Sequence, residues 1–526
     1  MTGAETKIPT PEELEVMLAR GELKLLGAGS RRECYAIPGT QLCLKCYRDE
    51  STAPNATVAR EIRKYRHDEK RNTCAQEYRY WLKIQKGEED LRRIFPATLQ
   101  LVHLPSRGWG LVEELILNAD GTPARVLEEN VRFNGFVGDG SLAKVCARLF
   151  ALRDRLVNAA IRFYDPSNVL IQWHQNGAFS LRIADFEPRT RTFIPFDELT
   201  TTTIRRKCSN RFYRFFRNKG IRYPDRISFS FCISDSYAQH LAVVIRSIIA
   251  NNPCTDFVFH VVHHDLKEAT VARLRKMAGK GDSIRFAFHR VDPHIFDCFP
   301  LPSALKHISR EMYYRYLLPE ILRDERRTIY MDVDVLCQAP VHALWETDLK
   351  RCPLGAVEKI EHNTMEFLDF KERLGLRRDE PYFCSGLLVM DLEQLRTINA
   401  FKTLMDNTAR LSGLLAYPDQ DAINVSFRGN IAPVSRVWSS IDRYSVLDRK
   451  VRIWHFMGWT QKPWCFIWKN TTWIPYLRHL LATPYSSCAA VFLIRHLTSL
   501  VFCSYEKKNT KRWLLFGILI WKRKTT

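Results

Sequence analysis

Ile227 to Ser234 (ISFSFCIS) is rich in aromatic and β-branched residues, the composition of a strand. The period then changes. In YAQHLAVVIRSIIANN the apolar positions Leu241, Val244, Ile245 and Ile248 fall at helical spacing. DFVFHVVHHD reads as a second strand and EATVARLRKMA as a second helix. Strand, helix, strand in this rhythm predicts an α/β region built on a parallel sheet, with its ligand crevice at the strand C-termini. Upstream, Leu23 to Tyr47 (LKLLGAGSRRECYAIPGTQLCLKCY) reads as two strand-like runs joined through a glycine-containing turn, then an apolar strand, Leu42 to Tyr47, that carries Lys45.

Chemistry is concentrated in Arg327 to Cys337 (RTIYMDVDVLC). One residue separates Asp332 from Asp334, so on a strand both carboxylates point to the same side. Like charges that close are unfavourable unless a cation joins them, and a divalent ion that also binds phosphate oxygens is their natural partner. An exposed edge strand can show the same pattern by chance, but further segments accompany it: YFCSGLLVMD (382 to 391), DQDAIN (419 to 424) and HFMGWTQKPW (455 to 464). In the last, His455 follows the apolar strand VRIW and can complete a metal site. Gly458 permits close backbone approach and Lys462 supplies a phosphate-binding cation.

The chain has 526 residues, 46% hydrophobic and 12% aromatic, enough for two or three domains with real cores. Its 79 Lys and Arg against 58 Asp and Glu give a formal charge of +21, which favours anionic partners. The run from Ile204 to Arg226 holds nine basic residues and one acid, interleaved with Phe212, Tyr213, Phe215 and Phe216, and reads as a domain boundary. From Glu506 onward there are seven basic residues and one acid beside Trp513, Leu514, Leu515, Phe516 and Trp521, a composition suited to an anionic membrane surface. Aromatics among basic residues can also track single-stranded nucleic acid, but no nucleic-acid-binding motif is present and no such partner is expected.

The 15 cysteines include one CxxC pair, Cys43 and Cys46, with no second pair to complete a zinc site, and are expected as free thiols. Glu5, Glu12, Glu13 and Glu15 interrupt any apolar core in the first thirty residues, so no secretory signal is expected. Cys488 to Cys503 is shorter than the about 20 residues a spanning helix needs, and Arg495 and His496 break it, so it reads as an amphipathic or buried helix.

The stretch from about Arg226 to Lys469 resembles the retaining glycosyltransferases of family 8, particularly the bacterial lipopolysaccharide core glucosyl- and galactosyltransferases, with the segments above in the family's order. The resemblance implies a GT-A (Rossmann-like) domain using a UDP-sugar with Mn2+ or Mg2+. It implies Asp332, Asp334 and His455 as metal ligands. Donor contacts are implied from Asp235, Tyr237, Arg315, Val333, Gly458 and Lys462, and Asp419 and Gln420 are implied beside the reacting sugar. Ser234 stands where bacterial members commonly carry an acid, Cys384 where many carry Asn, and the segment from Gly458 to Lys462 has one residue more than usual.

From about Glu22 to Gly220 the chain resembles the small bacterial kinase-like family named for the PhoP regulatory network, through LLGAGSRRECYAIP, QLCLKCY, ADGTP and a PxN segment. This implies an α+β kinase-like domain whose nucleotide site, possible for ATP, uses Lys45, Glu77, Asn168 and Asp185. Phe163 occupies the position of the usual catalytic Asp, and a phenyl ring accepts no proton, so nucleotide binding without transfer stands open beside kinase chemistry.

The expected organisation is an N-terminal extension (1 to 21), a kinase-like domain (22 to 220), a GT-A domain (221 to 470) and a basic amphipathic tail (471 to 526). The expected activity is hexose transfer from UDP-glucose or UDP-galactose to a glycolipid or oligosaccharide acceptor of lipopolysaccharide type, in the cytoplasm on the inner face of the membrane. A sugar or glycolipid kinase, or a non-catalytic nucleotide-binding membrane scaffold, are the alternatives.

Overall fold

The strand that carries Lys45, β3 (Leu42–Tyr47), is buried along its whole length, as its apolar sequence demands. In the computed structural model it is the middle strand of an antiparallel sheet ordered β1-β2-β3-β5-β4, with β1 (Lys24–Ala28), β2 (Arg32–Ala36), β4 (Thr98–Leu104) and β5 (Gly108–Glu114). The structure describes residues 8–87, 89–131, 140–159, 161, 165–184, 201–279, 281–301, 309–359, 364–439, 451–457, 462–464, 472–506, 510–515 and 518–524. The chain divides into two units, Met1–Arg222 and Tyr223–Thr526.

In the first unit, helix α1 (Thr73–Ile84) starts at Asn72, whose side chain accepts from the backbone N–H groups of Cys74 and Ala75 and so supplies an end of the helix with its missing partner. A second small sheet is built from β6 (Arg125–Val126), β7 (Val169–Trp173) and β8 (Phe179–Ile183). Two long helices follow the same logic of one apolar stripe each, α2 (Gly140–Asn158) and α3 (Thr201–Lys219). The basic run read as a boundary is, as far as Lys219, this last helix. Cys208, Phe212 and Phe216 recur every four residues and are all fully buried, while exposed Arg211, Arg214 and Arg217 lie between them. Phe216 stacks on Phe150 of α2 with centroids 4.6 Å apart.

The second unit is organised around a seven-stranded sheet ordered β11-β10-β9-β12-β15-β14-β16. Its strands are β9 (Arg226–Cys232), β10 (Asp256–His263), β11 (Ile284–Arg290), β12 (Arg327–Met331), β14 (Leu354–Glu358), β15 (Phe383–Asp391) and β16 (Ile431–Val434). A separate pair joins β13 (Val335–Cys337) to β17 (Ile453–His455). The helices used below are α4 (Ala238–Asn251), α5 (Glu268–Arg275), α6 (Pro418–Ser426), α7 (Trp473–Leu481) and α8 (Cys488–Val501).

The expected parallel sheet is corrected to a mixed one. Strands β11, β10, β9 and β12 run parallel, but β15 is antiparallel to both neighbours, β12 and β14. Eight of its nine residues are buried, so its hydrophobic pattern is continuous, and a continuous pattern reads the same in either direction. Within the segment expected as a basic amphipathic tail, β18 (Phe502–Glu506), β19 (Thr510–Leu515) and β20 (Ile518–Lys524) form an antiparallel meander. Cys488 onward is the helix α8, and no helix among the described residues is long and apolar enough to cross a membrane.

Strand order reverses between β9 and β12: the chain leaves β9 toward β10 and β11 on one side and returns to β12 on the other. A crevice opens where the carboxyl ends of two such strands diverge. Asp235 follows β9 and Asp332 follows β12, so the two segments singled out in the sequence meet at that opening.

If α3 is a core element, Phe216→Ala will lower the stability of its unit by about 3–5 kcal/mol. Arg211→Ala, on the exposed face, will change it by less than about 0.5 kcal/mol. Urea unfolding followed by near-ultraviolet circular dichroism measures both, and equal effects would show that the helix does not pack through Phe216.

Candidate functional site

Past the end of β12, the Asp332 backbone N–H donates to the Gly386 carbonyl (2.8 Å), which continues the pairing with β15 by one residue. Val333 then turns the chain into β13, and Val335 pairs with His455 of β17. The Phe456 N–H donates to the Asp334 carbonyl (2.8 Å). Three side chains from two segments therefore converge by backbone pairing alone: ligand atoms of Asp332, Asp334 and His455 all lie within 4.8 Å of one another.

Each carboxylate commits one oxygen and leaves the other facing inward. Asp332 Oδ1 accepts from Tyr330 Oη (2.6 Å) and from the Arg315 guanidinium (3.1 Å), and its Oδ2 lies 3.9 Å from His455 Nε2. Asp334 Oδ2 accepts from Lys462 Nζ (2.7 Å), and its Oδ1, 3.4 Å from His455 Nε2, is buried with no hydrogen-bond partner. A buried carboxylate oxygen without a donor is costly unless a cation completes it. Ser439 Oγ sits 3.1 Å from His455 Nδ1, fixing the ring so that Nε2 faces the two aspartates. Two carboxylate oxygens and an imidazole nitrogen form a donor set that suits a divalent cation.

Room for these groups depends on Gly386. A Cβ there would lie 2.3 Å from His455 Cε1 and 2.7 Å from Asp332 Oδ2, so no other residue fits without moving the cluster. Burial opposes charge on Asp334, but Lys462 and His455 outweigh it and hold its carboxyl well below the usual carboxylate range. The same exchange acts on Lys462: burial would lower it, and Asp334 raises it above its ordinary value.

Arg315 was expected at the donor. Its guanidinium is nearly fully buried and joins three segments, donating to the carbonyls of Ser385 (2.8 Å) and Met312 (2.8 Å) and pairing with both Asp332 and Asp419 (2.9 Å). Asp419 and Gln420 sit in the first turn of α6. Gln420 Oε1 accepts from the Ser385 N–H (3.3 Å) and its Nε2 donates to Tyr382 Oη (3.2 Å), so α6 is laced to β15 beside the cluster. Asn424, one turn on, exchanges bonds with both backbone groups of Phe383 (2.7 and 2.8 Å). Burial raises the Asp419 carboxyl above its ordinary value, against the pull of Arg315. Asp421 is pushed up to about 6, also by burial, although it accepts from Tyr382 Oη and from the N–H groups of Ala416 and Tyr417.

At the end of β9, the Asp235 N–H donates to Asp265 (3.0 Å) and its carboxylate accepts from the Lys267 N–H (3.2 Å), locking the loop to the segment that leads into α5. The Tyr237 ring lies 5.7 Å from His240. His240 stacks on Trp464 with centroids 3.9 Å apart and meets Tyr476 Oη at 2.7 Å, while Lys462 lies over the Trp464 ring. Burial first, then Lys462, holds His240 down to about 3, so it is neutral at physiological pH. Gly458 lies outside the described residues.

In the first unit, Lys45 Nζ is 3.5 Å from Glu77 of α1 and is also paired with Glu113 and with the Ala184 carbonyl. Glu77 binds Arg32 at 2.6 Å as well. Asn168 ends a short 3-10 turn, and its carbonyl accepts from the Ala184 N–H (3.0 Å), so Ala184 links Lys45 to Asn168. Burial raises the Glu113 carboxyl, against the pull of Lys45. Asp185 and Phe163 lie outside the described residues.

Several partners escaped the sequence reading. Tyr330 was within reach of it, since two residues before Asp332 on a strand is the same face. Ser439, sixteen positions before His455, and Tyr382, which meets Asp421 across β15 and α6, carry no local signal.

Two family models and several known proteins match parts of the chain. Residues 228–467 match the model of glycosyl transferase family 8, and residues 21–220 match that of the PhoP regulatory network protein YrbL. General stress protein A of Bacillus subtilis (strain 168) is 27% identical over 199 residues, covering 37% of this chain and 66% of that protein. The lipopolysaccharide 1,2-glucosyltransferase of Escherichia coli (strain K12) is 23% identical over 230 residues, covering 43% of this chain and 65% of that protein. The chain thus spans just under two thirds of the length of these curated relatives. A crystal structure of the galactosyltransferase LgtC with donor and acceptor sugar analogues is 28% identical, with a TM-score of 0.43, covering 49% of this chain and 96% of that one. Residues 228–467 thus resemble glycosyl transferase family 8, and residues 21–220 resemble the PhoP regulatory network protein YrbL.

Two tests follow from this packing. Gly386→Ala will displace His455, and a divalent ion held by the trio would then bind about 10- to 100-fold more weakly, with Mn2+ as the calorimetric probe; unchanged affinity would separate the three side chains from any metal role. The contribution of Asp421 is fully present below its unfolded value of 3.8 and is lost as pH rises through about 6. Stability of the natural chain relative to Asp421→Asn will therefore fall between pH 4 and pH 7 in urea titrations, and a rise or a flat difference would contradict the raised carboxyl.

Proposed function

From a C-terminal half that resembles family 8 glycosyltransferases, we propose a metal-dependent, retaining hexosyltransferase that moves glucose or galactose from a UDP-sugar to a lipopolysaccharide-type glycan. The observation that carries this reading is the convergence of Asp332, Asp334 and His455, whose ligand atoms lie within 4.8 Å of one another, with Asp334 Oδ1 buried and without a hydrogen-bond partner. The name of the Escherichia coli relative supports the acceptor class. Mn2+ or Mg2+ held by this trio would supply positive charge against the diphosphate as UDP departs.

The protein's own groups supply the rest. The buried Lys462 ammonium adds a second positive charge beside Asp334, where negative charge grows in the transition state. Arg315 holds Asp332 and Asp419 in fixed relation. Asp419 and Gln420 face the reacting sugar and support its oxocarbenium-like centre, with retention arising by attack from the face the diphosphate leaves. As the family resemblance implies, Asp235, Tyr237, Val333 and Gly458 are assigned to donor contacts.

The acceptor implies a membrane surface. On α7 and α8, Ile474, Leu481, Val491 and Ile494 are each more than half exposed, and the segment that follows is strongly basic. Apolar side chains beside Lys and Arg suit peripheral attachment to anionic lipid, on the cytoplasmic face where sugar nucleotides are available. For the first unit, the 3.5 Å pair of Lys45 and Glu77 favours a second reading, nucleotide binding. Glu113 shares that ammonium, so phosphate must compete with it. ATP turnover that disappears in Lys45→Ala would give this half an activity, and no turnover in the natural chain would confine it to binding.

Calorimetry with UDP, with and without Mn2+, tests the main reading. Binding will need the metal and will weaken at least 100-fold in the Asp332→Asn, Asp334→Asn double variant. Metal-independent binding, or full sugar transfer by the double variant, would overturn it.

A further inference from the structure

A cleft of about 1200 Å³ opens on the first unit, and neither Lys45, Glu77 nor Asn168 lines it. One wall is a face of α2, where Arg148, Ala151, Leu152 and Arg155 recur at spacings of three and four residues. Arg92, Arg93, Arg182 of β8 and Trp81 of α1 line the cleft as well.

The charges in this lining do not balance. Its two described carboxylates are taken: Glu89 by Arg93 at 2.5 Å and Glu114 by Arg182 at 3.0 Å. Arg148 rests on the Phe179 ring at 4.4 Å. Among the described residues, Arg92, Arg148 and Arg155 have no carboxylate partner. Two buried donors in the same lining, Trp81 Nε1 and Arg182 Nε, have no acceptor. The groups in excess are donors, so a ligand that brings acceptor oxygens and negative charge matches the cleft.

The spacing narrows the chemistry. Seven residues of helix separate the α-carbons of Arg148 and Arg155 by about 10.5 Å along the axis. Across that span, two phosphates on one small molecule can each take a guanidinium fork. The cleft volume exceeds the about 300–1,000 Å³ of ordinary small-molecule pockets, so it admits a ligand of that length.

We propose that this cleft is an anion site for a small molecule carrying two phosphate groups, gripped by Arg148 and Arg155 with Arg92 at its mouth. None of Lys45, Glu77, Glu113 and Ala184 lines the cleft. Free metabolite and phosphorylated glycan share this chemistry.

Calorimetry on the full chain with fructose 1,6-bisphosphate, fructose 6-phosphate and inorganic phosphate tests it. The bisphosphate will bind at least tenfold more tightly than either comparison compound, and its affinity will fall with added salt. Arg148→Gln with Arg155→Gln will reduce it at least tenfold. Both side chains are exposed, so the unfolding midpoint will stay in place. Ala151→Glu, which keeps both arginines but sets an acid between them, will weaken binding as well. A phosphorylated disaccharide binding more tightly than fructose 1,6-bisphosphate would point to a glycan as the source, still through the same arginines. Equal binding of bisphosphate and phosphate, full binding by the arginine variants, or no bisphosphate binding would overturn the proposal. So would binding that is lost only in Lys45→Ala.

Discussion

Repulsion between Asp332 and Asp334 is the constraint from which the second unit is built. Two carboxylates one residue apart, both largely buried, cannot keep their charge without compensation. The fold answers with two fixed cations, Arg315 and Lys462, each attached to one outward oxygen, and leaves Asp334 Oδ1 buried without a hydrogen-bond partner. The crossing of β12 into β13, the pairing of β13 with β17 and the glycine at 386 all serve that geometry. Arg315 also reaches Asp419, so the charged centre and the wall of α6 form one network. Charges changed within such a network act together, and their effects will not add.

The elements that matter most were legible as patterns. The alternation of strands and helices after Arg226, the aspartates at the end of an apolar strand and the histidine at the end of another all appear in the chain as simple periodicities, and β9, α4, β10, β12 and β17 stand where those periodicities put them. Direction was not legible. The residues of β15 are buried on both sides, and such a run carries no mark of which way it travels. Partnerships across distance were hidden for a related reason. Ser439 meets His455, and Tyr382 meets Asp421, only because separate segments are brought together by the sheet and by α6. The basic run before Arg226 shows the opposite case: its charge drew attention, while the stripe of Cys208, Phe212 and Phe216 that makes it a core helix was present at plain helical spacing.

The two units carry opposite imbalances. Around Asp334 there is an acceptor in excess, a carboxylate oxygen that awaits positive charge. Around Arg148 and Arg155 there are donors in excess, which await negative charge. Between these extremes lies Lys45, whose ammonium is fully engaged by Glu77, Glu113 and Ala184. Buried polar groups are ordinarily satisfied, so departures of either sign mark the places where a protein is completed by something it does not itself contain.

The antiparallel run of β15 sets a rule for how the second unit can vary. Its Ser385 and Gly386 carbonyls hold Arg315 and Asp332, and its side chains alternate between the two faces of the sheet. Changes of side-chain volume along it can be absorbed locally. A single inserted or deleted residue cannot, because it would turn every side chain to the opposite face and carry both carbonyls off their partners. Among descendants of this chain, the length of that strand should be held constant while the loops at either end drift in size.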